Sequence, residues 1–286
     1  MEIARSLGMG IAYVVLGVVV LIVSKIVKDL LTPYKIDEEL TGKDNPALGL
    51  AMTGYFAGVM IVFIGAVAGP DLDAELTVGE TVAAVCIDVL YALGGIVALN
   101  VGRWVVDKLV LTRFSTAKEI VEDRNAGTGA VECGAYIATA LVVAGAIHGE
   151  GGGPLSAVVF FVLGQIVLIL FTLFYQWITK YDIHAEIERD NVAAGVALGF
   201  SMVAMGIVVL KGVAGDFASW AENLTWFGVY VVLGFVLLLV LRKVTDVLFL
   251  PKSPIHHEIA VDRNLNAAWI EGVVATGIAA MVYVLL

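Results

Sequence analysis

The chain has 286 residues, 60% of them hydrophobic and only 15% charged, with a mean hydropathy of +0.94. A water-soluble domain is about half apolar and a quarter charged, so this composition excludes a soluble globular fold. The formal charge is −10, but where the charges fall matters more than their sum, and two cysteines cannot build a disulfide scaffold.

A bilayer is crossed by a helix of about 20 consecutive apolar residues. The first such run, 8–27, is too long for a signal-peptide core, and no small-residue cleavage site follows it, so a retained span is expected. Further runs lie at 46–68, 78–102, 126–147, 154–178, 192–213, 225–248 and 265–286. The expected fold is all-α: a polytopic membrane protein with eight transmembrane helices. Cys86 and Cys133 fall on antiparallel spans at depths differing by roughly 10 Å, from 1.5 Å of rise per residue, so no bridge is expected. Cytoplasmic loops are enriched in Lys and Arg. With both termini and the second, fourth and sixth connections outside, Arg5 and Lys211 are the only basic residues outside, and the other fifteen of seventeen lie inside. Outer connections are then acidic (Asp71, Asp73, Glu75, Glu80) or glycine-rich (Gly149 to Gly153).

Each inward connection ends in a glutamate, a short polar stretch and an asparagine, followed by a span rich in small residues. The four versions are Glu39…Lys43-Asp44-Asn45, Glu119…Asp123-Arg124-Asn125, Glu186…Arg189-Asp190-Asn191 and Glu258…Asp262-Arg263-Asn264. Residues 103–147 align without a gap on 242–286, at a constant offset of 139. Leu31-Thr32-Pro33-Tyr34 likewise matches Ile178-Thr179-Lys180-Tyr181. The chain is therefore expected to be four parallel helix-hairpin repeats in the order A-B-A′-B′, with one half over 1–150 and the other over 151–286. Four and eight residues after each Asn stand Gly49 and Thr53, Gly129 and Cys133, Gly195 and Gly199, Ala268 and Gly272. Small residues at that spacing let helix backbones approach closely in lipid. The even spans should form a tight inner cluster, with bulky odd spans such as Val236 to Leu241 facing lipid.

These motifs resemble the YjfL-like membrane family, domain of unknown function 350, whose smaller members have two hairpin units. The resemblance covers nearly the whole chain and implies two such proteins fused. It carries no established activity. It implies the inner membrane of a prokaryote and a setting among envelope-stress genes, including membrane-remodelling proteins of the phage-shock kind.

Each repeated Asn stands where its side chain can cap the following helix, and Asn45-Pro46 adds proline at the first helical position. Arg124 and Arg263, with the neighbouring acids, form surface ion pairs or a docking surface. Glu132 and Glu271 lie seven residues past their Asn, roughly 10 Å into the span at 1.5 Å per residue. A carboxylate there is costly and faces a partner, the bundle interior or water. The two are aligned equivalents and are candidates for an ion or proton pathway, with Asp88 a third; a hydrogen-bonded structural role is the competing expectation. Asn100 and Gln165 are expected to bond between helices. His184, Glu186, His256 and Glu258 could contribute to a zinc site, but Asp37 and Ala117 replace the histidines in the first two units, and no metal or other cofactor is expected. No nucleotide loop, nucleophile elbow, His-Glu-x-x-His helix or Cys-x-x-Cys occurs, and an enzyme is not expected. The expected partners are the lipid bilayer and a cytoplasmic membrane-remodelling or stress protein, with a homo-oligomer left open and no nucleic acid.

Overall fold

The computed structural model describes residues 2–68, 77–113, 115–149, 151–249 and 252–286, with side chains from Leu7 onward. The Arg5 side chain and the acids Asp71, Asp73 and Glu75 of the second connection lie outside the described residues. Among the described residues are eight long helices: α1 (Glu2–Leu31), α2 (Pro46–Val67), α3 (Val78–Leu109), α5 (Ala126–Ile147), α6 (Gly153–Ile178), α8 (Val192–Val213), α9 (Trp220–Val244) and α11 (Leu265–Leu285). The connections at the motif end hold a π-helical turn, Glu38–Gly42, and the short helices α4 (Thr116–Val121), α7 (Ile183–Glu188) and α10 (Ile255–Ala260). All eight long helices contain a stretch long and apolar enough to cross a membrane. The protein is an all-α, multi-pass membrane protein.

Local chemistry sets the helix ends. Thr77 and Glu80 form a reciprocal capping box at the start of α3, and the Ser219 hydroxyl caps α9. Lys108 and the Arg242-Lys243 pair close the same two helices, where positive charge complements the helix dipole. α3 continues to Leu109, well beyond the apolar run that ends near residue 102. Arg103 and Asp107 do not stop it, because both find partners inside the protein.

The even spans form the inside of the molecule as a row, α2 beside α5, α5 beside α8, and α8 beside α11. Buried residues make up 72% of spans α5 and α8, but 44% of α2 and 33% of α11, so the middle pair is interior and the outer pair are ends. Backbones meet along the row. A Cβ placed on Gly129 would strike Ala47, one on Gly195 would strike Gly127, and one on Gly134 would strike Gly199. The two middle helices, α5 and α8, thus have two packing faces each. On every inner helix the back face holds the small residues four and eight past the Asn, and the front face holds the residues two, five and nine past it. The odd spans lie outside the row and expose Val14, Val18, Val97, Val158, Val232 and Val236. Without water to drive apolar surfaces together, dispersion at such close crossings holds helices together in lipid.

Candidate functional site

The asparagine motif is a clamp that joins one repeat to the next. Asn125 caps α5 by accepting from the Thr128 N–H at 3.0 Å. Its Nδ2 donates both to Glu119 Oε2 at 2.9 Å and to the Ile187 carbonyl of the following unit at 2.6 Å. Its own N–H donates to the Glu119 carbonyl at 2.8 Å. Asn45 repeats the pattern with Glu39 and the Ile120 carbonyl, and Asn191 with Glu186 and the Ile259 carbonyl. An acceptor and two amide donors are all used, a set that Asp or Ser cannot supply. Asn264 keeps its bond to Glu258 at 2.7 Å, and among the described residues its second amide hydrogen has no carbonyl acceptor.

The residue before each Asn is left-handed: Asp44 at φ 49°, Arg124 at 53°, Asp190 at 58° and Arg263 at 49°. Such backbone is uncommon outside glycine, most of all for arginine, and persists only where its surroundings over-determine it. Here the clamp does so. The clamp glutamates differ electrostatically. Hydrogen bonding from Lys43, with help from Asn45, holds Glu39 below the usual carboxylate range. Bonds from Asn264 and Ser253 hold Glu258 below it as well. Burial pushes Glu119 up, only partly offset by the Asn125 bond.

Deeper in the spans lie two charge clusters, one in each half. In the first, Arg103 Nε donates to Glu132 Oε1 at 2.9 Å, and Arg103 Nη2 lies 3.7 Å from Asp107. Lys28 is 4% exposed; its ammonium donates to the Tyr136 hydroxyl and, at 3.2 Å, to Asn100 Oδ1. It sits over the rings of Tyr55 and Tyr136, 5.1 and 4.9 Å from their centroids. Tyr34 stands beside this cluster, its hydroxyl pushed up to about 12 by burial. Two cations thus meet two carboxyl groups.

The second cluster is built on the aligned Arg242, Asp246 and Glu271 but is wired differently. Arg242 donates to Thr179 Oγ1 at 2.7 Å and stacks on Tyr175, 5.2 Å from its centroid. Among the described residues no carboxylate is within ion-pair distance of it. Among the described residues Glu271 Oε2 is buried without a hydrogen-bond partner. Arg242 also lines a pocket of about 570 Å³ with Lys180, Lys243, Lys252 and His256. Arg242 makes no ion pair with Glu271, so Glu271 is less compensated than Glu132.

Glu132 and Glu271 therefore do not meet: each belongs to its own half, and no hydrogen bond or ion pair joins them among the described residues. Asp88 stands apart from both, accepting from the Tyr13 hydroxyl at 2.8 Å. Asn100 and Gln165 reach across helices, to Tyr55 and Thr139 respectively. His184 Nε2 is 2.7 Å from the Val110 carbonyl, and Glu186 serves the Asn191 clamp. Burial holds His256 below its ordinary value at the basic pocket. No group of three His, Cys, Asp or Glu side chains converges among the described residues.

A family model described as Domain of Unknown Function (DUF350) matches this chain twice, over residues 2–147 and 151–286. The chain belongs to the DUF350 family. It is also 26% identical over 255 residues to a "UPF0719 transmembrane protein" of Aquifex aeolicus (strain VF5), covering 87% of this chain and 90% of that protein. No solved structure matches. The boundary between the two family matches falls between α5 and α6, so the α5–α8 crossing joins one DUF350 unit to the next.

Sequence reasoning missed the cationic side of both clusters. Lys28, Arg103 and Arg242 look like flanking basic residues because each stands near a helix end. The available signal was their company: Arg103, Asp107 and Glu132 all recur 139 residues later as Arg242, Asp246 and Glu271.

Proposed function

We propose that this DUF350 protein is a membrane scaffold in an envelope-stress system, with its motif end facing the cytoplasm and recruiting a membrane-remodelling partner. The observation that supports it is the clamp series, which ties four connections into one row. Left-handed turns along that row carry the charged, exposed tips Asp123-Arg124 and Asp262-Arg263. The basic asymmetry of the loops supports the orientation, and the family resemblance supports the setting. Arg124→Asn and Arg263→Asn remove charge while keeping a residue that tolerates left-handed backbone. With the tagged protein purified from its native membrane, these changes should abolish copurification of a membrane-remodelling protein and leave melting unchanged. Identical copurification by the variant, or none by the wild type, would overturn the reading.

A small-ion or proton pathway is the second reading, favoured by one observation, the unpartnered buried oxygen of Glu271. Flux in purified liposomes tests it across pH 5 to 9 with several cations. Flux no greater than that of protein-free vesicles ends it.

A further inference from the structure

The row of inner helices has two open ends, and they are complementary. Along the row, every clamp asparagine but the last reaches a carbonyl in the next unit, at Ile120, Ile187 or Ile259. Those three isoleucines are fully buried. The matching residue of the first unit is Leu40, which also follows its clamp glutamate; it is only half-buried, and among the described residues no side chain donates to its carbonyl. At the other end Asn264 has spent one amide hydrogen on Glu258 and has no carbonyl for the other. One end lacks a donor and the other lacks an acceptor.

The helix faces show the same pattern. The back face of α2 carries Gly49 and Thr53, small residues at the positions that crossing backbones require, although no inner helix packs on it among the described residues. A Cβ on Gly49 meets nothing within 4 Å. Its counterparts Gly129 and Gly195 are closed against the backbones of Ala47 and Gly127. The Thr53 hydroxyl is bonded to the Gly49 carbonyl at 2.8 Å, so this face has no unpaired side-chain polar group. The front face of α11, with Asn266, Trp269 and Val273, is likewise exposed, the Trp269 ring meeting Phe200 of α8 at one edge, 5.2 Å between centroids. It is bulkier than the front of α5, as Phe200 already is on α8, where Gly272 makes room for it. In a continued row Val273 would meet Thr53, again one large residue against one small.

We infer that a second copy of this chain docks head to tail, the front of α11 in one copy packing on the back of α2 in the next, with Asn264 reaching the Leu40 carbonyl. The interface continues one already present, since α5 to α8 joins two DUF350 units in the same way. All repeats run parallel, so copies inserted in the same orientation can extend the row. A contact between two different faces either closes a ring or leaves an open row. This inference stands whether or not the scaffold reading holds.

Paired cysteines test it. In a full chain carrying Cys86→Ala and Cys133→Ala, Thr53→Cys and Val273→Cys are introduced together and oxidised in native membranes. Covalent dimers and larger species are expected, whereas either cysteine alone should give none. Cross-linking by a single cysteine would show like faces meeting, and a monomeric double variant would show no meeting at all; either overturns the inference. Gly49→Leu guards against misfolding, because inside one chain the new side chain has room. It should leave the melting of detergent-dispersed monomers unchanged and reduce cross-linking about tenfold, as bulk at a backbone crossing does. Undiminished cross-linking would place the contact elsewhere.

Discussion

Units B and B′, residues 103–147 and 242–286, align without a gap, yet several aligned polar pairs have different surroundings. B lies inside the row with a neighbour on each side; B′ lies at its end. Glu132 is ion-paired to Arg103, whereas Glu271 has a buried oxygen with no partner. Asn125 bonds into a following unit and Asn264 has none to bond. Glu119 is buried beneath its neighbour, and Glu258 is not. In a protein made of repeats, a residue's work is set by its place in the row as much as by its identity.

The charged pair should separate the two units most. Glu132→Gln leaves Arg103 buried with only the longer Asp107 contact, and breaking a buried pair costs ~3–5 kcal/mol. Glu271→Gln breaks no ion pair and should stay within about 1 kcal/mol of wild type. Thermal unfolding in one detergent compares them directly. Equal losses would mean that Glu271 is as firmly paired as Glu132.

The clamp comes next. Asn125→Ala removes the cap, the Glu119 bond and the link to Ile187, for a loss of ~2–3 kcal/mol from several hydrogen bonds of about 1 each. Asn264→Ala removes the cap and the Glu258 bond but no link to another unit, and should cost less, ~1–2 kcal/mol. Matching losses at the two sites would break the link between clamp strength and position in the row. Packing follows the same logic. Gly134→Leu would drive bulk into the Gly199 backbone and destabilise by ~1–3 kcal/mol or more. The aligned Val273→Leu, on the open face, should shift monomer stability by less than ~0.5 kcal/mol. A large effect at Val273 would place α11 in contact with something inside the chain.

Much of this architecture can be read without coordinates. Spans follow from composition, and the repeat from the recurring Glu…Asn segments. Capping follows from Asn45-Pro46 and its three relatives, each Asn taking a backbone N–H as its place before a span requires. The small residues at Gly129, Gly195 and Gly199 likewise lie at backbone contacts. What sequence could not show is tertiary. An Nδ2 aimed at a carbonyl 62 residues away, as from Asn125 to Ile187, leaves no local pattern. Nor does the arrangement of inner helices as a row, because small residues favour close packing without choosing among closed and open arrays. Lys28 and Arg103 obey the charge bias of loops while lying inside, since a long basic side chain near a helix end serves either purpose.

The finest contrast is in pH dependence, where the two aligned clamp glutamates should have opposite signs. Glu119 is raised above its ordinary value of 4.5 by burial beneath the third unit, despite the Asn125 bond. A carboxyl whose folded value is raised favours the folded state most when protonated. Its contribution is fully present below 4.5 and is lost as pH climbs from there through the raised value. Glu258 is lowered from 4.5 by its bonds from Asn264 and Ser253. Its contribution is present above 4.5 and disappears as pH falls through the lowered value. Glutamine keeps an acceptor for the asparagine in both places and removes the titration. Glu119→Gln should therefore raise Tm relative to wild type at pH 7 and lose that advantage at pH 4. Glu258→Gln should lower Tm at pH 7 and converge on wild type in acid. Because Glu258 is the more exposed of the two, its effect should also shrink in high salt, while that of Glu119 should persist. Slopes of the same sign would mean that the neighbouring unit does not bury Glu119, and with that the contrast between the inside and the end of the row would fail at the clamp.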